Sequence, residues 1–187
     1  MNMEQNAIQK NMWNTAGKAG LILGLISTAY LFISQMLGQS GMPSLISSIL
    51  NIVLWIAKFA GCIWVMKMFM TSFAASDESI TNSNTFRLGT RMALLSALVY
   101  SAFALANVAF ISPDLFQEQM EMTMQQMAPM LDSNALSQID SLYENLPQIT
   151  FFSNLIYCFI YGTVLAFILS RNIPSKNPFA EFKSDEQ

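Results

Sequence analysis

AGLILGLISTAYLFISQMLGQSGMPSLISSILNIVLWIA, residues 19–57, decides the fold. It carries no charge between Lys18 and Lys58. A helix needs about 20 apolar residues to cross the hydrocarbon of a bilayer, so this stretch holds nearly two crossings. Gly38-Gln39-Ser40-Gly41-Met42-Pro43-Ser44 interrupts it, and two glycines and a proline so close together are turn chemistry. The turn is short, which makes the flanking segments an antiparallel hairpin. The first span is expected over 17–37. The second is expected over 45–67, with its helix continuing toward Phe73.

The rest of the chain repeats the pattern. Met92 to Ile111 and Ile149 to Ser170 are free of charge. Spans three and four are therefore expected over 88–111 and 149–170. Across the whole chain 53% of residues are hydrophobic and 11% charged. The charged share is about half that of a soluble domain, which makes lipid the solvent. The first apolar block follows a long polar N-terminus and exceeds a signal-peptide core, so it reads as an uncleaved anchor. A short interfacial helix is expected around Met12 and Trp13. The polar run Ser76 to Thr85 reads as a loop.

Between spans three and four, Ser112-Pro113-Asp114 stops one helix and starts another, with serine as N-cap and proline in the first turn. From Pro113 to Ala128 the pattern has two faces. Phe116, Met120, Met124 and Met127 share one stripe; Asp114, Glu118 and Glu121 share another. Pro129 breaks the pattern. Asp132-Ser133 can cap a second helix whose face holds Leu136, Ile139, Leu142, Tyr143 and Leu146. Pro147 then opens span four. The fold class is thus an all-α membrane protein, an antiparallel bundle of four spans in one domain over 1–187. Two amphipathic helices over 113–146 form an extracytoplasmic cap, and a polar tail follows over 174–187.

Charge sets the orientation. Lys10, Lys18, Lys67, Arg87, Arg91, Arg171, Lys176 and Lys183 all fall on the N-terminal side of a four-span arrangement. Basic residues are retained in the cytoplasm during insertion, so both termini are expected there. Three or five spans would spoil that segregation.

Several features resemble a known family. Phe86-Arg87-Leu88-Gly89 leads into span three and Tyr100 lies within it. Phe110-Ile111-Ser112-Pro113-Asp114 leaves it, an acidic segment follows, and the last span ends in Arg171. In this order they resemble an uncharacterised family of small bacterial membrane proteins, domain-of-unknown-function family 4199. The resemblance implies a four-span inner-membrane protein of Gram-negative bacteria and brings no known activity or catalytic residues. Lys58 and the methionine run lie outside the features that carry it.

Composition also excludes chemistries. Histidine is absent, which removes the commonest general base and zinc ligand. No Asp or Glu lies within a span, so acid–base catalysis inside the membrane has few candidates. Cys62 and Cys158 lie in apolar spans and read as small buried hydrophobes rather than a disulfide or metal pair. Gly17-Lys18-Ala19-Gly20 lacks the upstream glycine and the following Ser/Thr of a phosphate loop, and it sits where a span begins. Met120, Met122, Met124, Met127 and Met130 could ligate a soft ion such as Cu(I). Phe116 on the same stripe favours a packing surface.

Each span carries small or polar residues in a stripe: Gly17, Gly20, Gly24 and Ser27; Ser44, Ser47, Asn51 and Lys58; Gly89, Ala93, Ser96, Tyr100 and Asn107; Asn154, Tyr157 and Tyr161. Ordinary helix packing explains such stripes, because small residues allow close approach and polar ones bridge helices. The sharper reading is a polar core of Lys58, Asn51, Tyr100, Asn107, Tyr157 and Tyr161. Lys58 is its centre, because a charge at mid-span costs at least ~2.5 kcal/mol. Depth counting places it level with Ser27, Thr28, Tyr100, Tyr161 and Thr163, and its ammonium is expected to face the bundle; snorkelling toward an interface is the alternative.

Asp114, Glu118 and Glu121 are candidates for a partner surface. Helices that lie on lipid are usually basic, and this one is acidic. The expected partners are the bilayer and a protein, or a second copy meeting the cap; nucleic acid and cofactors are not expected. The functional class expected is a non-enzymatic binding, structural or regulatory component. A small oligomeric transporter or channel built around Lys58 is the alternative.

Overall fold

A computed structural model describes residues 3–127 and 145–174. Everything regular among the described residues is helical. α1 is Met3–Gln39, α2 Ser44–Ala74, α3 Asn82–Ala106, α4 Pro113–Met127 and α5 Leu146–Asn172. Four segments are long and apolar enough to cross a membrane: Ile8–Gln39, Ser44–Ala74, Asn82–Ile111 and Leu146–Asn172. The second expected cap helix, with Leu136, Ile139, Leu142 and Tyr143, lies outside the described residues, as does the tail beyond Pro174.

The boundaries depart from the sequence reading in three places. α1 has no break at Met12 and Trp13. It runs through them, and Arg91 on α3 holds that turn, donating from Nη1 to Met12 Sδ at 2.9 Å and stacking 4.6 Å from the Trp13 ring. α3 begins inside the expected loop, at Asn82. Thr81 makes this start possible: its hydroxyl accepts the Asn84 N–H at 3.3 Å, filling one orphan donor of the first turn. Leu146, assigned by pattern to the cap, is the first residue of α5, with Pro147 in the first turn as expected.

α3 is the central element and packs closely along both α1 and α5. Glycine makes this closeness possible. A Cβ on Gly20 would sit 2.6 Å from Leu95 Cβ, and one on Gly24 2.6 Å from Val99 Cβ. On the other side, a Cβ on Gly89 would meet Ala166 Cβ at 2.6 Å, and one on Gly162 would meet Ala93 Cβ at 2.6 Å. Numbers thus rise together along α1 and α3 and in opposite senses along α3 and α5. Of the first stripe, Gly20 and Gly24 are helix contacts, whereas Gly17 faces open space.

Burial is uneven along the helices. α2 buries residues only from Val65 onward, and α5 buries only Ala166 and Ser170. Those α2 residues and Ala166 join Ala16, Ala19 and Leu88 in one core at the end where α1 begins and α2 ends. At the opposite end α2 turns Leu45, Ile49 and Ile52 outward, and it touches α5 only sparsely. The bundle is closely packed at one end, and α2 stands parted from α5, which it touches only sparsely.

Candidate functional site

Lys58 lies beside that parting, among residues of both α2 and α5. It is half-buried, and its Nζ lies 5.0 Å from the centroid of the Tyr30 ring on α1 and 5.6 Å from that of Tyr100 on α3. The ammonium therefore points into the bundle. Each such ring contact is worth ~0.5–1 kcal/mol when exposed and about 2 when desolvated, which offsets part of the cost of a charge at this depth.

The lysine lines a cavity of about 170 Å³. Ser27 of α1 and Ser96 and Tyr100 of α3 form its back wall. Its front is aromatic. Trp55 and Phe59 stack along α2 at 5.6 Å, and Tyr157 and Tyr161 stack along α5 at 6.4 Å. Phe59 and Tyr161 bring the two rows within 5.9 Å of each other. Trp55 and Tyr157 are largely exposed, 53% and 70%, so the front faces the surroundings of the bundle between α2 and α5. Cys62 and Cys158 are free thiols in the same wall, half-buried rather than fully enclosed.

Of the candidate core, Lys58, Tyr100, Tyr157 and Tyr161 come together in this cavity. Asn51 and Asn107 do not. The Asn51 Oδ1 accepts the Ser34 hydroxyl at 2.7 Å, one bridge between α1 and α2. Asn107 donates from Nδ2 to Gln35 Oε1 at 2.8 Å, bridging α3 to α1. Both Ser34 and Gln35 line a second cavity of about 330 Å³, together with Asn107, Tyr30, and Phe116 and Gln119 of α4. Of the residues expected level with Lys58, Thr28 instead donates to the Gly24 carbonyl within its own helix, and the buried Thr163 hydroxyl has no hydrogen-bond partner among the described residues.

Asn107 opens a π turn, Asn107–Ile111, in which the Ser112 N–H reaches the Asn107 carbonyl at 2.9 Å. The wider turn carries the chain from α3 toward α4. The Asn107 Oδ1 is buried without a hydrogen-bond partner among the described residues. A buried orphan acceptor costs about 1–3 kcal/mol, but removing only one member of a bridge strands the other. Asn107→Leu should therefore destabilise the protein by about 1–2 kcal/mol, and Gln35→Leu likewise. The double variant should lose less than the sum, which a double-mutant cycle of thermal unfolding in detergent checks. Strict additivity would mean that the bridge contributes nothing.

Tyr30 and Gln35 are the site residues that the sequence reading missed. Tyr30 lies about one turn beyond Ser27, and the long Lys58 side chain carries its Nζ to within 5.0 Å of that ring. Gln35 was legible as an amide near the end of an apolar span. On α4, Asp114, Glu118 and Glu121 are exposed, while Phe116, Met120 and Met124 are half-buried, as a packing face requires.

A family model described as "Protein of unknown function (DUF4199)" matches residues 18–171. No curated protein and no solved structure matches the chain.

Proposed function

The chain belongs to the DUF4199 family of unknown function, and from that premise we propose a non-enzymatic binding component of the bacterial inner membrane. In this reading the spans form an antiparallel bundle with both termini in the cytoplasm and α4 in an extracytoplasmic cap. The segregation of basic residues and the opposed registers of α3 and α5 support it. The observation that carries the function is the Lys58 cavity, a polar centre with an aromatic front turned toward the bilayer. Structural packing alone has no use for an unneutralised ammonium at mid-span. Asp114, Glu118 and Glu121 offer the cap's exposed acidic surface to a basic partner or a second copy.

A hydrophobic diazirine dissolved in the bilayer tests the reading. Labelling of the peptides that carry Trp55–Phe59 and Tyr157–Tyr161 should saturate with reagent concentration, as at a site. Labelling that rises linearly there, as on the outward face at Leu45 and Ile49, would reduce the cavity to ordinary lipid contact. One observation favours the alternative, an oligomeric transporter or channel. Tyr30 lines the second cavity and its ring also lies 5.0 Å from Lys58 Nζ, so one side chain adjoins both polar sites.

A further inference from the structure

We infer that the Lys58 cavity is a lateral site for the head of an amphiphilic carboxylate, a long-chain fatty acid in chemical class, whose tail stays in the bilayer through the α2–α5 parting. The inference rests on the binding reading above and deepens it by naming the ligand.

Depth selects the head group. At 1.5 Å per residue, Lys58 is about 21 Å from Ser44 and about 24 Å from Ala74 along α2, close to the middle of the span. A phospholipid phosphate stays at the interface, roughly 15 Å from the midplane of a 30 Å core. A carboxylic acid can reach the midplane neutral, and where it meets the lysine as the free amine its proton passes to Nζ, leaving the carboxylate–ammonium pair with no net charge gained.

Charge selects the same class. No span contains Asp or Glu, so the chain supplies no carboxylate at this depth. The two tyrosine faces hold the ammonium without neutralising it. A carboxylate has two oxygens to satisfy. One pairs with Nζ, and the Ser27 and Ser96 hydroxyls in the back wall can donate to the other.

The shape of the entrance completes the argument. α2 buries residues only from Val65 onward and α5 only Ala166 and Ser170, and the two helices touch only sparsely. Beside Lys58 the gap is framed by Trp55, Phe59, Tyr157 and Tyr161, apolar rings suited to an alkyl chain. A small aqueous anion has no use for that frame, and a neutral alcohol has none for the lysine.

The test uses the full chain in phosphatidylcholine nanodiscs, with Trp13→Phe and Trp64→Phe leaving Trp55 as the fluorophore. Dibromostearate should quench Trp55 saturably. Oleate should relieve the quenching; oleyl alcohol, acetate and oleoyl lysophosphatidate should not. Lys58→Met should weaken dibromostearate binding at least tenfold, while Lys58→Arg stays within a few-fold of the parent. The arginine variant, with matched melting curves, separates loss of charge from loss of fold. Unchanged binding in Lys58→Met, or equal competition by the alcohol, overturns the inference and leaves an apolar groove. Equal competition by acetate overturns it in favour of an aqueous-anion site, and by lysophosphatidate in favour of a lipid phosphate. If diazirine labelling saturates but no carboxylate preference appears, the binding reading survives and only the ligand class falls. Labelling that never saturates removes both.

Discussion

Gly162→Leu should be among the most damaging single substitutions in this protein, lowering its stability by about 1–3 kcal/mol or more as an overpacked core does. The reason is local. A Cβ at this position would lie 2.6 Å from Ala93 Cβ and 3.3 Å from Ala93 Cα. Neither atom belongs to a flexible side chain that could swing aside, so α5 must move away from α3. Gly89 makes the matching contact with Ala166, which is fully buried. Within lipid there is no hydrophobic drive to hold helices together, and close backbone approach supplies the van der Waals contact instead. Losing it at one glycine therefore weakens the whole seam, and Gly89→Leu with Gly162→Leu should abolish a monodisperse species in detergent. Gly17→Ala is the control of opposite sign. Nothing among the described residues lies within 4 Å of its added Cβ, and alanine favours a helix over glycine by up to ~1 kcal/mol. Thermal unfolding of the three variants reads both effects. A Gly162→Leu protein that melts with the parent would mean that α3 and α5 are not held by close backbone approach.

The spans were legible because one physical term decides them. Apolar runs of bilayer length admit little else, and the four runs correspond to α1, α2, α3 with its π turn, and α5. The ends were less legible. Asn82, Ser83 and Asn84 are loop types by composition, yet Thr81 caps them into the first turn of α3, a choice that tertiary packing of Thr85 and Leu88 rewards. The π turn at Asn107 left no mark on hydropathy, since it changes the backbone spacing and not the residue types.

The polar residues divided along a similar line. Depth counting brought Lys58, Tyr100 and Tyr161 to one level, because rise per residue is fixed in a helix. Asn51 and Asn107 entered the candidate core through their stripes instead, although each lies seven residues, about 10 Å, along its own helix from Lys58 or Tyr100. At that level the α1 partners are Ser34 and Gln35 rather than Ser27. Which helix stands opposite a stripe is a property of packing, and α2 packs on α1 and α3 while parting from α5. That parting, which gives the cavity its lateral front, had no counterpart in the sequence: the outward faces of α2 and α5 are apolar whether they meet lipid or each other.

Cysteines placed at Ser40 and Glu78 should show the proposed orientation as an all-or-none result. Both positions lie in short connections between spans, Ser40 between α1 and α2 and Glu78 between α2 and α3, and both are exposed. With Cys62 and Cys158 replaced by alanine, a membrane-impermeant maleimide added from outside should label Ser40→Cys fully and leave Glu78→Cys unlabelled until the membrane is opened. The expectation follows from charge. Lys67, Arg87 and Arg91 flank the Glu78 connection, whereas no basic residue lies between Lys18 and Lys58 to hold the Ser40 connection inside. Retention of Lys and Arg during insertion acts on short loops and near span ends, the situation of both sites. Adding arginines beside Ser40 should erode its labelling, because the two connections would then compete for the cytoplasm. Glu78→Cys labelled from outside would reverse the orientation. It would also move α4, with Asp114, Glu118 and Glu121, to the cytoplasmic face, where a different set of partners would meet it.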